Sequence, residues 1–264
     1  MRKFIVLLLS IIPAPASAEW ELNMPIGVTT ISEAAYDLHM LILWITVIIG
    51  IFVFGVMIYS IIYHRKSRGV QPANFYESTK VEIIWTVIPF LILVGMAIPA
   101  TKTLILMEDT TDAEVTLKVT GYQWMWEYEY LDDNISFLSK IDVESNKARQ
   151  LNSKVSATSV KHYLRNVDNP TILPINTKIR LLFTASDVIH AWWVPELGGK
   201  KDAIPGYINE MWIDIKKPGI YRGQCAELCG KDHAFMPIVV KAVTKEEYQK
   251  WVLNQQKNKI ANKK

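Results

Sequence analysis

Cys225-Ala226-Glu227-Leu228-Cys229-Gly230-Lys231-Asp232-His233-Ala234-Phe235-Met236 contains both cysteines of the 264-residue chain. The two thiols bracket a short loop, and an imidazole and a thioether follow within one further turn's length. Thiolate, imidazole and thioether are soft ligands that favour copper over magnesium or calcium. A single copper of the blue type needs only one cysteine, two histidines and a weak methionine. A second cysteine in the same loop lets each sulfur bridge two metals. The stretch reads as half of a binuclear copper centre and requires a further histidine from elsewhere. The alternative is a Cys225–Cys229 disulfide in an exported domain, which the redox compartment would permit. So short a bridge would restrict the unfolded chain by no more than about 2 kcal/mol. It would also leave His233 and Met236 without a purpose.

The missing histidine is expected in Ser186-Asp187-Val188-Ile189-His190-Ala191-Trp192-Trp193. A lone histidine in an apolar run is more often a satisfied core residue, and only the cysteine loop makes His190 a ligand candidate. His39, His64 and His162 lack ligand-like neighbours. Around these segments the pattern is one of short strands. Val115–Thr120, Lys178–Thr184, Ile208–Ile215, Gly219–Gln224 and Ile238–Val243 are β-rich runs bounded by turn residues. Many short strands without intervening helices indicate a β-sandwich or barrel. Tyr122-Gln123-Trp124-Met125-Trp126-Glu127-Tyr128-Glu129-Tyr130 has an aromatic residue at every even position, a period of two that predicts one strand with an aromatic face. An exposed tryptophan there could instead carry electrons or anchor a partner. Residues 136–169 are polar and weakly periodic, a long excursion without an assigned role. Thr244 and Glu247 form a capping-box signature. It predicts a short C-terminal helix to about Gln255, with a frayed basic tail.

Toward the amino terminus the composition changes, and most of the first 107 positions are apolar. Arg2 and Lys3, the run Phe4–Ile12 and Ala16-Ser17-Ala18 have the layout of a cleaved signal peptide over residues 1–18. Residues 19–107 would then comprise an exported segment and two transmembrane helices, about 40–63 and 83–107, with the exterior domain over 108–264. Each apolar run is long enough for the ~30 Å hydrocarbon core. Pro89 and Pro99 are tolerable in a span because neighbouring helices re-satisfy the backbone. The basic loop His64-Arg65-Lys66-Ser67-Arg68 between the spans should stay cytoplasmic, placing both hairpin ends outside. Glu82, where the second span leaves the cytoplasm, reads either as an interfacial carboxylate or as a proton-path residue facing a partner subunit. The net charge of +3, without a nucleic-acid motif, excludes nucleic-acid binding as a class.

Taken together, these segments resemble subunit II of the haem-copper cytochrome c oxidases over nearly the whole mature chain. The likeness is carried by the membrane hairpin, Val81-Glu82-Ile83-Ile84-Trp85-Thr86, the aromatic stretch and Asp187-Val188-Ile189-His190. It continues through Asp202-Ala203-Ile204-Pro205-Gly206, Gly223-Gln224-Cys225 and Phe235-Met236-Pro237. The resemblance implies a two-helix transmembrane hairpin followed by an all-β, cupredoxin-like Greek-key sandwich that holds two copper ions, the CuA centre. Cys225 and Cys229 would bridge the coppers, and His190 and His233 would each cap one. Met236 and the Glu227 carbonyl would be the weak ligands. The Glu227 carboxylate would ligate magnesium or manganese shared with subunit I, as an oxygen ligand suits a hard cation. Trp124 would take electrons from cytochrome c, with docking helped by acids such as Glu129 and Asp187. Glu82 would lie at the mouth of a proton path in subunit I. Implied partners are haem-containing subunit I, subunit III, cytochrome c and membrane lipid. The implied location is the bacterial cytoplasmic membrane with the C-terminal domain in the periplasm, or else the mitochondrial inner membrane.

Two positions depart from the family pattern. Tyr207 stands where relatives often have a basic residue, and Met125 where they commonly have an aromatic one. A quinol oxidase subunit would share the hairpin and sandwich but lack the copper ligands. A thioredoxin-like copper-delivery protein would have one span, and its histidine would follow its cysteines. No Cys-x-x-Cys-His haem attachment motif occurs.

Overall fold

Helix α1 (Thr30–Tyr63) and helix α2 (Thr79–Glu108) form the hairpin in the structure, a computed structural model that describes residues 23–261. The leader expected over residues 1–18 lies outside the described residues. Both helices are long and apolar enough to cross a membrane. The 34 residues of α1 rise about 51 Å at 1.5 Å per residue, well beyond a ~30 Å hydrocarbon core. The helix therefore begins ten residues before the apolar run at Met40. Its first turn has a separate cause. Thr29 and Ser32 form a reciprocal cap, with Ser32 N–H donating to Thr29 Oγ1 at 3.0 Å and Thr29 N–H to Ser32 Oγ at 2.9 Å.

That cap is buried against the β domain. Thr29 Oγ1 donates to the Leu197 carbonyl at 2.9 Å, and the Asp214 carboxylate accepts from Thr30 N–H at 2.7 Å and Thr30 Oγ1 at 2.5 Å. Lys216 pairs with Glu33 in the same turn. At the end of α2, Trp212 Nε1 donates to the Leu106 carbonyl at 2.8 Å. Both helices are thus fastened to the sandwich at the ends that adjoin it.

Ten strands make two five-stranded sheets among the described residues. The first is ordered β3 (Ile135–Ser139), β2 (Met125–Tyr130), β1 (Val115–Tyr122), β5 (Ile179–Ala185), β8 (Asn209–Ile213). The second is ordered β4 (Thr171–Pro174), β10 (Pro237–Val243), β9 (Gly219–Cys225), β6 (His190–Trp193), β7 (Lys200–Ala203). Only the β1–β5 and β4–β10 neighbours run parallel. Alternation supplies the core. Leu117 and Val119 of β1, Trp126, Tyr128 and Tyr130 of β2, and Ile179, Leu181 and Phe183 of β5 are buried, and the residues between them, polar except for Leu182, are half-buried. From the opposing sheet Trp192 packs on Phe183, 5.8 Å between ring centroids, and donates from Nε1 to the Tyr128 hydroxyl at 3.2 Å. This is the cupredoxin-like sandwich that the resemblance implies.

Three local expectations are corrected. The aromatic stretch is not one strand: Gln123-Trp124 is a two-residue turn, and Tyr122 pairs with Met125 across the β1–β2 hairpin. An aromatic period of two does not distinguish a strand that continues from two strands meeting at a two-residue turn. The excursion over 136–169 begins as edge strand β3 and contains helix α3 (Val143–Ala148), capped by Asp142. The C-terminal helix α4 (Lys245–Ala261) runs past Gln255. Its capping box is present, Glu247 N–H to Thr244 Oγ1 at 3.2 Å and Thr244 N–H to Glu247 Oε2 at 3.1 Å. Beyond it, Gln256 and Lys259 donate to the carbonyls of Asp133 and Asn134, which hold the last turns on the β2–β3 connection.

Candidate metal centre

Cys225 is the last residue of β9, where its N–H donates to the Met236 carbonyl at 3.1 Å and its backbone pairs with Trp192 of β6. The sheet thereby sets the start and the end of the cysteine loop side by side. Cys225 and Cys229 are free and buried, with sulfurs 3.8 Å apart. The disulfide alternative is not what the structure holds. Met236, at 1 % exposure, belongs to the same buried cluster.

His190 opens β6, fully buried, with Nδ1 3.9 Å from Cys225 Sγ. Its Nε2 lies 2.9 Å from Asp187 Oδ1. A carboxylate there accepts the Nε2 proton and leaves the Nδ1 lone pair facing the sulfurs, as outer partners of ligating histidines commonly do. Gly121 leaves room for this ring, since a Cβ at that position would stand 2.7 Å from His190 Cδ2. His233 begins a short 3-10 turn, and its Nδ1 lies 3.5 Å from Cys229 Sγ. The ligand atoms of His190, Cys225 and Cys229 all fall within 4.8 Å of one another. Converging soft donors in a buried pocket fit copper.

Charge limits the metal-free site. Burial disfavours the Cys225 thiolate, but hydrogen bonding with His190, with the backbone at Ala191 and Glu227, and with His233 together outweighs it and lowers the Cys225 thiol to about 7. Burial, and then the negative charge of Cys225, push Cys229 up to about 12. Two thiolates together require the positive charge of a bound metal.

The flanking residues fall into distinct positions. The Cys225 thiol is 3.3 Å from the Glu227 carbonyl oxygen, while the Glu227 residue is exposed. Trp124 caps the loop from the β1–β2 turn. Its Nε1 donates to the Cys229 carbonyl at 3.1 Å, and Gln123 Nε2 donates to the same oxygen at 2.8 Å. Trp126 faces inward and meets the His190 ring edge-on at 5.8 Å. Glu82 is not brought near the centre. It lies in the first turn of α2, with about 39 Å of helical rise between it and Glu108 at the sandwich end. Tyr207 is exposed and Met125 half-buried.

Neither acid expected to guide docking is free. Glu129 pairs with Lys118 at 2.5 Å. Asp187 binds His190 and accepts from the N–H groups of Gln123 and Val188, both at 2.7 Å. Partial burial tends to raise its pKa, yet these bonds hold it below the ordinary carboxylate value. The role of Asp187 beside His190 had a signal in the sequence, the three-residue spacing, which a surface-acid reading overlooked.

The fold and the site define a membrane-anchored, cupredoxin-like protein with a Cys/His cluster suited to copper. Residues 115–243 match the family model described as cytochrome c oxidase subunit II, periplasmic domain, and residues 17–103 match its transmembrane domain. The chain belongs to the cytochrome c oxidase subunit II family. It is 38% identical over 257 residues to the probable cytochrome c oxidase subunit 2 of Rickettsia bellii (strain RML369-C), covering 97% of this chain and 91% of that one. It is 36% identical over 250 residues to cytochrome c oxidase subunit 2 of Arabidopsis thaliana, covering 94% and 95%. The crystal structure of the periplasmic domain of subunit II of cytochrome oxidase from Bradyrhizobium japonicum aligns at 41% identity and a TM-score of 0.48, covering 56% of this chain and 98% of that one. The chain is therefore a membrane component of an oxidoreductase complex. The family implies the CuA centre and a haem-copper subunit I as partner.

Proposed function

We propose that this chain accepts single electrons from cytochrome c at a dinuclear copper centre and passes them to haem in subunit I, where oxygen is reduced and protons are pumped. The observation that carries this reading is the convergence of His190, Cys225, Cys229 and His233 beneath Trp124. Bound copper would supply a one-electron site in which the charge is shared by two metals, so that each bond changes little. The chain's own residues do the rest. The two sheets hold the ligand loops in register, Asp187 orients His190, and the buried wall of Trp126, Tyr128 and Trp192 excludes water. The basic loop between the helices would face the cytoplasm or matrix, with the sandwich on the opposite side, and subunit III would complete the assembly. Metal analysis of the full chain separated from subunit I should give about two copper atoms per chain, as the ligand set requires. Paramagnetic resonance should show one electron shared by two copper nuclei. One copper per chain, or a Cys225–Cys229 disulfide that persists with excess copper under reduction, would overturn the reading.

The exposed Glu227 side chain is assigned to magnesium or manganese at the subunit I interface, since only its carbonyl approaches sulfur. Glu227→Gln is expected to lower manganese retention by roughly tenfold or more, the usual loss on removing a carboxylate at a divalent site. Copper content should stay unchanged. Loss of copper instead would make the carboxylate a determinant of the copper site.

Trp124 and Trp126 differ in position, one capping the loop and one packed inside, and that difference supports Trp124 as the electron entry. In the assembled oxidase, Trp124→Phe should slow the fast electron-transfer phase from bound cytochrome c by at least about tenfold, the scale of a lost positioning contact. The dissociation constant should hold. Trp126→Phe should leave that phase nearly intact and lower stability by about 1 kcal/mol or more. Equal rates for Trp124→Phe and the unchanged oxidase would remove Trp124 from the path.

A further inference from the structure

Residues 140–169 supply no ligand, yet the two ends of the segment are tied to each other. Asp142 accepts from Ser145 N–H at 2.9 Å and caps α3. The buried Ser145 hydroxyl accepts from Leu164 N–H at 3.1 Å. Asp142 N–H donates to the Asn166 carbonyl at 3.1 Å, Lys140 N–H donates to Asp168 Oδ1 at 2.9 Å, and Ile141 bridges Val167. The two ends of the excursion are laced to each other, so α3 has a defined place on the sandwich.

That place delivers Arg149, the C-terminal cap of α3, onto the metal loop. Arg149 Nε donates to Asn146 Oδ1 at 2.8 Å, which fixes the guanidinium plane. Nη1 and Nη2 reach the two oxygens of Asp232 at 3.1 and 3.4 Å. Cζ lies 4.2 Å from the centroid of the Phe235 ring. Asp232 and Phe235 are the residues on either side of His233-Ala234, and Met236 follows directly. The Arg149 and Asp232 side chains are only 20% and 25% exposed, so solvent screens the pair less than a free surface pair. The loop has little backbone bonding of its own here, with His233 N–H to the Gly230 carbonyl at 3.1 Å and Phe235 N–H to the Asp232 carbonyl at 2.9 Å.

We propose that Arg149 is a positioning residue for the copper loop and that residues 140–169 are the brace which holds it there. By gripping Asp232 and covering Phe235 at once, Arg149 holds the segment that presents His233 and Met236 in one conformation, with or without metal. Only a planar guanidinium can make a two-pronged carboxylate contact and lie over an aromatic face together; a lysine gives the charge without that geometry. The inference rests on the copper reading above for its purpose, but the brace can be measured without copper.

The test uses the full chain, copper-free and copper-loaded, as the unchanged protein, Arg149→Gln and Arg149→Lys. Lys154→Gln, exposed in the same excursion, is the control. In the copper-free chain, amide hydrogen exchange at His233 and Phe235 should quicken about tenfold in Arg149→Gln, less in Arg149→Lys, and not in the control, on the scale of a partly screened ion pair with a cation–π contact. In the loaded chain, copper loss to a chelator should quicken by a similar factor. Unchanged exchange at those two amides, or equal quickening throughout the sandwich, would overturn the proposal. Should Arg149→Gln fail to fold, Asp232→Asn removes the same pairing at constant size and carries the comparison. If the unchanged chain takes up no copper, the metal reading falls, and the copper-free exchange result still decides the brace.

Discussion

Cys229→Ser should cut copper from about two atoms per chain to fewer than one and abolish the spectrum of a shared electron. Serine is close in size to cysteine, so the buried loop keeps its packing and the loss reports chemistry. A neutral hydroxyl at physiological pH neither carries a charge nor bridges two soft metals, whereas a thiolate does both. The neighbouring thiol does not compensate. Cys225 can still ionise and, with His190 Nδ1 at 3.9 Å, offers at most a mononuclear site. The fold should survive, because the sandwich core of Leu117, Tyr128, Phe183 and Trp192 lies outside the change. Copper analysis, paramagnetic resonance and far-ultraviolet circular dichroism on the same sample distinguish the outcomes. Retention of two coppers by Cys229→Ser would remove the bridging role.

Gly223→Ala is expected to be the most destabilising single-methyl change in the sandwich, costing roughly 3 kcal/mol or more. A Cβ at Gly223 would stand 2.0 Å from the Trp193 carbonyl oxygen and 2.8 Å from both its carbonyl carbon and Val194 Cγ2. The nearest atoms are backbone, so no side-chain rotation relieves the overlap. Strands β6 and β9 must instead move apart, at the point where Trp192 pairs with Cys225 and Trp193 with Gln224. That pairing also sets His190 beside Cys225. The same methyl should therefore lower the denaturation midpoint and weaken copper retention together. Normal stability with normal copper would show that the two strands need no such close approach.

What the sequence by itself determined was local chemistry and periodicity. Two cysteines, a histidine and a methionine in one loop announce soft-metal ligands wherever the loop lies. Runs of more than twenty apolar residues announce membrane helices, because length and hydropathy are properties of a segment alone. The capping box at Thr244, the alternation in β1 and the β-rich runs of β5, β9 and β10 are of the same kind. Strands β4 and β6 escaped notice because they are only four residues each and almost wholly buried, so burial erased the alternation that would mark them.

Tertiary structure decided whatever depends on residues distant in the chain. Whether the aromatic stretch continued or turned at Gln123-Trp124 was settled by the Cys229 carbonyl, which accepts from both of those side chains. Asp187 looks like a surface acid until the β6 register turns it toward His190. Gly121 and Gly223 look like ordinary strand glycines until a neighbouring strand approaches closely enough to need the missing Cβ. Arg149 meets Asp232 across 83 residues of chain, through an excursion whose polar composition gives no hint of a destination. A charge has no direction in a sequence. It acquires one only when the backbone around it is held in place.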